Sequence, residues 1–304
     1  MTPPDGWVCG IRRGRAFVSK SASTVRWLKG SPGPFGGVPV WEFAVWCGES
    51  AGGCGRVEHV REQGNDRLEP DDFFRHVREW NGAQRSFADR WRQKSSSDGG
   101  VELHSWAFAS TRVSWARLTE IRSRSEFIAF SWTVIPSFEF DVPLFQAELI
   151  EVKRKLFLLV MDARVPRADN EDLQVRLEAE LSKLHDPLLP SVEHRPSWSR
   201  SCIGPTAVWT RPMNEPALPV GVRAFRDFLR WSAPWIEGGV RDPGRSNLRR
   251  EDYLAVRAGF LENEPARPYM HRAFGVEWSE AYMERFLYPP LDGAGQLCPP
   301  DPQI

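Results

Sequence analysis

The chain has 304 residues, 41% of them hydrophobic, so it is long enough to bury a full core in one domain or in two. Its 40 Lys and Arg residues balance 40 Asp and Glu residues, which excludes a protein that binds nucleic acid through bulk positive charge. No run of about 18 apolar residues occurs, so we expect no membrane span. The five Cys residues are scattered and lack zinc-ligand spacing, which predicts a reducing compartment and no structural metal.

Residues 1–41 form a segment that is basic and poor in acids. It contains six Lys or Arg residues and one acid, Asp5, with four Ser residues among them. This bias is typical of an organelle transit peptide, and a disordered basic leader without a function explains it equally well. We therefore predict a plastid protein if residues 1–41 are a transit segment and a cytoplasmic protein otherwise.

Gly and Pro residues punctuate the chain between residues 29 and 70, where only residues 38–46 have a strand-like composition. We interpret residues 1–65 as leader and linker. A single folded domain is predicted for residues 66–292, followed by a disordered tail over residues 293–304.

Helical periodicity begins at Pro70, a suitable first residue of a helix. Asn81 and Gly82 interrupt the pattern, so we predict two short helices whose common apolar stripe faces a sheet. The apolar positions of that stripe are Phe73, Val77, Trp80, Phe87 and Trp91.

Five strand-like runs follow a flexible turn at residues 95–100. The first three are residues 101–109, 113–121 and 127–135, and two more lie between Pro143 and Asp162, separated by the polar residues 153–155. The connections are too short for a crossover helix, so the pattern predicts an antiparallel meander.

The remainder of the chain has mainly helical periodicity. Helices are predicted over residues 169–185, 223–236, 247–260 and 278–288, with an extended segment at 198–211. A sheet in the middle of the chain with helices before and after it predicts an α/β sandwich of one domain.

Glu148 is the carboxylate that stands out within the strand pattern. It follows an apolar run and precedes Leu149, so it lies on a strand where an unpaired charge would be expensive. Such a carboxylate is either paired or available for chemistry.

Three separated groups of residues carry a resemblance to a known family. The first comprises Ser-Trp-Ala-Phe (105–108), Val-Ile-Pro (134–136), Asp-Val-Pro-Leu-Phe (141–145) and Leu-Val-Met-Asp (159–162). The second comprises Cys-Ile-Gly-Pro (202–205) and Val-Trp-Thr-Arg-Pro (208–212). The third comprises Glu-Pro-Ala-Arg (264–267), Arg-Ala-Phe-Gly-Val-Glu-Trp (272–278) and the helix that ends at residue 288. Their order and spacing resemble those of the ferredoxin-dependent bilin reductases, which share their fold with red chlorophyll catabolite reductase.

The resemblance implies a three-layer α/β/α sandwich with a central antiparallel sheet, in agreement with the pattern. It also implies an oxidoreductase without a metal or flavin of its own, in which a linear tetrapyrrole lies between the sheet and the C-terminal helices. Electrons would come singly from a 2Fe–2S ferredoxin, and protons from carboxylates in the pocket. Biliverdin or a dihydrobiliverdin would be reduced to a phytobilin. We expect a monomer.

The resemblance also implies which residues form the site. Glu148 and Glu264 stand where the family has two Asp residues, and we predict that they are catalytic. Ser131 stands where bilin reductases have His or Asn, and Thr119 aligns with an acid of one subfamily, so both are predicted to bind substrate.

Two Arg residues, Arg211 and Arg267, are predicted to bind the bilin propionates, because a guanidinium matches a carboxylate in geometry. Solvation at the protein surface is the alternative role for each of them. Residues 195–257 contain 11 Arg residues and six acids, and we predict that they form one basic face that steers an acidic ferredoxin. A solvated helical face explains Arg241, Arg245, Arg249 and Arg250 equally well.

Two other functions compete with bilin reduction. Residues 148–150 and 201–207 are similar to segments of red chlorophyll catabolite reductase, which implies an opened chlorophyll catabolite as the alternative substrate. A protein that binds a bilin without catalysis is the third possibility, since both family Asp residues are replaced.

Overall fold

The computed structural model describes residues 7–12, 15–20, 67–124, 127–165, 171–184, 186–192, 195–205, 207–298 and 300. The chain divides into two units, Met1–Glu62 and Gln63–Ile304. In the first unit, strands β1 (Trp7–Arg12) and β2 (Arg15–Lys20) form an antiparallel hairpin that the sequence patterns do not predict. The strand-like residues 38–46 lie outside the described residues, as do residues 299 and 301–304 of the predicted tail. Residues 293–298 of that tail are held by hydrogen bonds, from the Cys298 amide to the Pro290 carbonyl at 2.8 Å and from Arg250 to the Gly295 carbonyl at 2.9 Å.

The second unit is built on an eight-stranded sheet. Its strands are β3 (Ala83–Gln84), β4 (Gln93–Ser95), β5 (Val101–Ala109), β6 (Val113–Ser123), β7 (Phe127–Pro136), β8 (Leu144–Val152), β9 (Lys155–Arg164) and β10 (Val208–Thr210). The order is β10-β9-β8-β7-β6-β5-β3, with β4 also paired to β5, and every pairing is antiparallel. The predicted meander of five strands is therefore confirmed as β5–β9.

Helices cover both faces of this sheet. They are α1 (Pro70–Glu79), α2 (Asp89–Arg92), α3 (Glu171–Ser182), α4 (Ser199–Cys202), α5 (Ala217–Glu237), α6 (Ser246–Asn263), α7 (Arg267–Phe274) and α8 (Val276–Tyr282). A π-helical turn, Met283–Leu287, continues α8. None of the helices in the described part of the chain is long and apolar enough to span a bilayer.

Two separate cores lie on the two faces because side chains alternate along each strand. On β7, Phe130 and Trp132 point into a core shared with α1, α3 and α5. Ala129 and Ile135 of the same strand point into a second core shared with α2 and α6–α8. The result is the three-layer α/β/α sandwich with a central antiparallel sheet that the sequence predicts.

The predicted stripe shared by the first two helices is wrong. Phe73 of α1 packs on Phe130 and Trp132, whereas Trp91 of α2 packs on Trp278 and Tyr282 in the other core. The chain turns after α1 because Asn81 adopts a left-handed conformation, with φ of 56°. Helical periodicity continues in the sequence across this turn, but α1 and α2 lie on opposite faces of the sheet.

The structure differs from the sequence prediction in the second half of the chain as well. Residues 198–211 are not wholly extended, because α4 forms before β10. Helix α5 begins six residues before the predicted start, and α7 is a helix that the periodicity does not predict. These helices are short or begin with Pro-rich sequence, so their apolar pattern is too brief to be distinguished from a loop.

A two-residue hairpin loop joins β8 to β9, and its conformation is unfavourable for its residues. Lys153 and Arg154 have φ of 49° and 60°, between the paired residues Val152 and Lys155. Hairpin loops whose two residues both have positive φ strongly prefer Asn-Gly, since most other side chains are strained in this left-handed conformation.

We predict that Lys153→Asn combined with Arg154→Gly raises the free energy of unfolding by about 1 kcal/mol, as measured by urea unfolding. Lys155→Asn, one residue beyond the loop, is the control and should give no gain.

His76 is a buried titratable side chain in the core under α1. Its Nε2 atom accepts a hydrogen bond from Trp80 at 3.2 Å, and its Nδ1 atom lies 3.7 Å from the carboxylate of the half-exposed Glu79. Burial lowers the pKa of His76 to about 3. The ring is therefore neutral in the folded protein at physiological pH.

We predict that His76 makes the fold sensitive to acid. Below about pH 6.5 the His76 ring takes up a proton in the unfolded state but not in the folded state. The free energy of unfolding therefore decreases as the pH is lowered, and at pH 5 it is about 2 kcal/mol smaller than at neutral pH. His76→Gln keeps an acceptor for Trp80 but cannot titrate, and it should flatten this fall in urea unfolding at pH 7.5 and pH 5. His104, which is partly exposed, offers the matched control His104→Gln, with an expected slope like that of the wild type. An unchanged slope in His76→Gln would show that burial of this ring does not cause the acid sensitivity.

Candidate active site

Four polar side chains form one row across the sheet. The pairing register places Ser105 opposite Thr119, Thr119 opposite Ser131, and Ser131 opposite Glu148. Directly paired residues of antiparallel strands point to the same face. The structure thus brings together three of the predicted site residues and adds Ser105, and the whole row faces the layer that contains α6–α8.

One end of the row is closed by a tyrosine from the helical layer. The hydroxyl of Tyr282 lies 2.7 Å from Ser105 Oγ and 2.9 Å from Thr119 Oγ1. All three residues are buried, and burial raises the pKa of Tyr282 to about 12. Thr119, a predicted substrate contact, here holds α8 against the sheet.

The other end of the row is open. Ser131 and Glu148 keep accessible surface, and so do the apolar residues Ile150 and Leu158, which are paired with each other on β8 and β9. These positions face the C-terminal helices. Solvent therefore reaches Glu148 on the face of the sheet that this helical layer covers, and we call the accessible surface of these four residues the cleft.

Glu148 has the chemical properties of a proton donor. Among the described residues, its carboxylate accepts no hydrogen bond and forms no contact ion pair, although protein surrounds most of it. Burial raises the pKa of Glu148 to about 7, and the charge of Glu264 acts in the same direction, while the charge of Arg117 opposes them. At neutral pH the group can therefore both give and take a proton.

Glu264 comes to the same cluster from the end of α6. One carboxylate oxygen accepts a hydrogen bond from the Ala266 amide at 3.1 Å, and the other accepts one from the Tyr288 hydroxyl at 3.0 Å. Tyr288 is buried and stacks on Phe260 at 5.1 Å between ring centroids. The pKa of Tyr288 is raised well above its usual value by burial and by Glu264. Sequence motif and structure thus place both predicted carboxylates at one site.

Arg117 is a site residue that the sequence analysis missed. It is only 2% exposed, yet it makes no contact ion pair with any described residue. Its Nε atom donates to the Leu287 carbonyl and its Nη1 atom to Ser131 Oγ, both at 3.1 Å. The available signal was period-two alternation, since Arg117 precedes Thr119 by two positions on the same strand and so shares its face.

A second buried carboxylate on this face has a different environment. Asp162 is fully buried, and its Oδ2 atom accepts a hydrogen bond from the Gly204 amide at 2.9 Å. A Cβ atom at Gly204 would lie 2.7 Å from Asp162 Oδ1, so only glycine permits this approach. Burial raises the pKa of Asp162, while the Gly204 amide, Arg164 and Arg195 oppose the effect. Asp162 anchors the segment after α4 and, unlike Glu148, has no access to the cleft.

The two predicted propionate ligands lie outside the carboxylate cluster. Arg211 is exposed after β10 and sits over the ring of Phe157, 4.7 Å from its centroid. Arg267 forms an ion pair with Glu280 at 2.5 Å and also donates to the Leu261 carbonyl. Each guanidinium therefore already has a contact within the protein, and their substrate-binding role stays a prediction.

The prediction of one basic face over residues 195–257 is wrong. Helix α5 packs on one face of the sheet and α6 on the other, so their Arg residues point to opposite sides of the domain. Arg249 is also buried, with Asp141 and Asp242 each 3.5 Å away. Local charge counting does not reveal that the chain crosses from one face to the other between these helices.

Comparisons with known proteins identify a family for this chain. A family model for ferredoxin-dependent bilin reductases matches residues 78–289. A phycoerythrobilin:ferredoxin oxidoreductase of Nostoc punctiforme is 24% identical over 211 residues, which cover 64% of this chain and 78% of the relative. The enzyme with the same name in Parasynechococcus marenigrum is 26% identical over 242 residues, covering 74% and 91% of the two chains.

Other relatives carry different names. A 15,16-dihydrobiliverdin:ferredoxin oxidoreductase of Nostoc punctiforme is 24% identical over 215 residues, covering 68% of this chain and 84% of the relative. The crystal structure of phytochromobilin synthase from tomato in complex with biliverdin shares the fold, with a TM-score of 0.63, 19% identity, and coverage of 72% and 80%. Since the family model spans more than half of its length, the chain belongs to the ferredoxin-dependent bilin reductase family of oxidoreductases.

Proposed function

We propose that this protein reduces a double bond of a linear tetrapyrrole, biliverdin or a dihydrobiliverdin, to yield a phytobilin. A 2Fe–2S ferredoxin is the electron donor, and the cleft between the sheet and the C-terminal helices holds the substrate. The observation that carries the proposal is the state of Glu148, an accessible carboxyl with a pKa of about 7 and no contact partner among the described residues. The names of the relatives support a bilin as the substrate class.

The proposed reaction alternates electrons and protons. One electron passes from reduced ferredoxin to the bilin, which becomes a radical anion and hence a stronger base. The Glu148 carboxyl then gives its proton to the bilin and becomes a carboxylate. A second reduced ferredoxin supplies the second electron, and a second proton from solvent completes the saturation of the double bond. Solvent also returns a proton to the Glu148 carboxylate.

The two tyrosines of the site are poor alternatives as proton donors. The pKa of Tyr282 is about 12 and that of Tyr288 is higher than its usual value, so both hold their protons at neutral pH. Transfer from a donor works best when its pKa lies near the working pH. Glu148 meets this condition, with about half of its carboxyls protonated at pH 7.

Replacement of the proton donor Glu148 tests the proposed reaction. Glu148→Gln keeps the shape of the side chain but cannot give a proton, so bilin should bind with similar affinity while turnover with reduced ferredoxin falls by roughly 10²–10⁴-fold. Titration with biliverdin, followed by absorbance, measures the affinity, and the absorbance change after reduced ferredoxin is added measures the turnover. If the spectrum shifts on binding and then stays constant in the wild type, the protein is a carrier and the proposal fails; if biliverdin does not interact, an opened chlorophyll catabolite is the next substrate to test.

Asp162→Asn is the matched control, because it alters a buried carboxyl on the same face that lies outside the cleft. Its turnover should stay within a few-fold of the wild type, since the Gly204 amide keeps its acceptor. Glu148→Asp moves the carboxyl back by one methylene and should lower activity or change the product, because catalytic geometry is sensitive at about 1 Å. Wild-type turnover in Glu148→Gln would exclude Glu148 as the donor.

A further prediction concerns pH. The protonated form of Glu148 is the reactive one, so the rate of bilin reduction in a single turnover should fall as pH rises through about 7. Single-turnover absorbance traces between pH 5.5 and pH 9 measure this profile. The step near pH 7 should be absent from the residual activity of Glu148→Gln, and a step that persists in this variant would assign it to another group.

A further inference from the structure

Arg117 carries a positive charge in a place where charges are costly. It lies under the helical layer, 2% exposed, and no carboxylate of the described residues approaches it within ion-pair distance. Buried Arg residues are almost always paired, because an uncompensated charge in a protein interior is strongly destabilising. A structural role alone, the hydrogen bond to the Leu287 carbonyl, would be served by a neutral donor.

Arg117 contacts the open end of the polar row. Its Nη1 atom donates to Ser131, and Ser131 is paired with Glu148 on the next strand. The guanidinium also lies 5.6 Å from the centroid of the Tyr288 ring, whose hydroxyl donates to Glu264. One cation therefore belongs to the cluster that contains both carboxylates, without forming an ion pair with either of them among the described residues.

We propose that Arg117 is a positioning residue for bilin reduction: it fixes Ser131 beside Glu148 and supplies the positive charge that balances Glu264, so that the substrate takes up its electron in a neutral site. The inference rests on the proposed function, in which ferredoxin gives an electron to the bilin before Glu148 gives its proton. With Glu148 protonated, the charges of Arg117 and Glu264 cancel, and the incoming electron enters a neutral site. Without Arg117 the same electron would enter a site that is already negative.

The charged and titratable groups that surround Glu148 in the described part of the chain come from three elements. Arg117 lies on β6, Glu264 follows α6, and Tyr288 follows the π-helical turn. Removing the charge of Arg117 leaves Glu264 unopposed, which favours the protonated form of Glu148 further. The midpoint of Glu148 titration should therefore move to higher pH when Arg117 is made neutral.

The test compares three variants of the full chain. Arg117→Gln removes the charge and keeps an amide donor, Arg117→Lys keeps the charge, and Ser131→Ala removes the hydrogen bond but leaves Arg117 in place. Arg117→Gln should lower the maximal turnover by roughly 10²-fold, as for the loss of one preorganised donor, with little change in bilin affinity. Arg117→Lys should keep most of the turnover, and Ser131→Ala should lose less than Arg117→Gln.

Infrared difference titration of the Glu148 carboxyl, with Glu148→Gln as the reference, provides a measurement that does not depend on turnover. We expect the midpoint to rise in Arg117→Gln and to stay near the wild-type value in Arg117→Lys and Ser131→Ala. An unchanged midpoint and turnover in folded Arg117→Gln would overturn the inference, as would equal losses in Arg117→Lys and Arg117→Gln. If Arg117→Gln does not fold, a raised midpoint in Arg117→Lys overturns it instead. Failure of Glu148→Gln to lose activity contradicts the proton donor alone, so the two proposals fail separately.

Discussion

The antiparallel register of β5–β8 is the constraint on which the site depends. Side chains alternate between the two faces of a strand, so a shift of one residue in β8 would turn Glu148 into the opposite core and bring Leu149 to the cleft. That shift is prevented by burial, because Phe145, Ala147 and Leu149 are packed in the core under α5. The apolar face of each strand thus holds the polar row of the other face in place.

Charged groups on the site face are of two kinds, those that form a contact ion pair and those that do not. Arg164 and Asp252 form a contact pair at 2.9 Å, and each satisfies the other as part of the structure. Arg117 and Glu264 act on the pKa of Glu148 without forming such a pair with it. A carboxyl in contact with a guanidinium is held ionised, whereas one kept at a distance can still exchange a proton at neutral pH. Separation of these charges is therefore what makes the cluster suitable for chemistry.

Aromatic packing in the helical layer supports the same site. Trp278, Tyr282 and Phe286 stack one turn apart, with ring centroids 4.8 Å and 5.1 Å from each other. The stack fixes Tyr282 so that its hydroxyl meets Ser105 and Thr119, and Phe286 packs against Trp115 on β6. The C-terminal helix is thereby joined to the sheet by both apolar and polar contacts at the closed end of the row.

Local pattern was sufficient for the meander, the α/β sandwich of one domain and the prominence of Glu148, because strand alternation and turn residues act over a few positions. The three-layer arrangement was implied by the family resemblance. Family motifs added Glu264, Ser131 and Thr119, and the structure brings these residues together. Which face a helix covers was not accessible from local pattern, so the helices α1 and α2, and the Arg residues of α5 and α6, were assigned to one side when they lie on opposite sides of the sheet. The role of Arg117 also required the tertiary structure, since its burial and its contact with the Tyr288 ring arise from residues more than 100 positions away in the chain, such as Leu287.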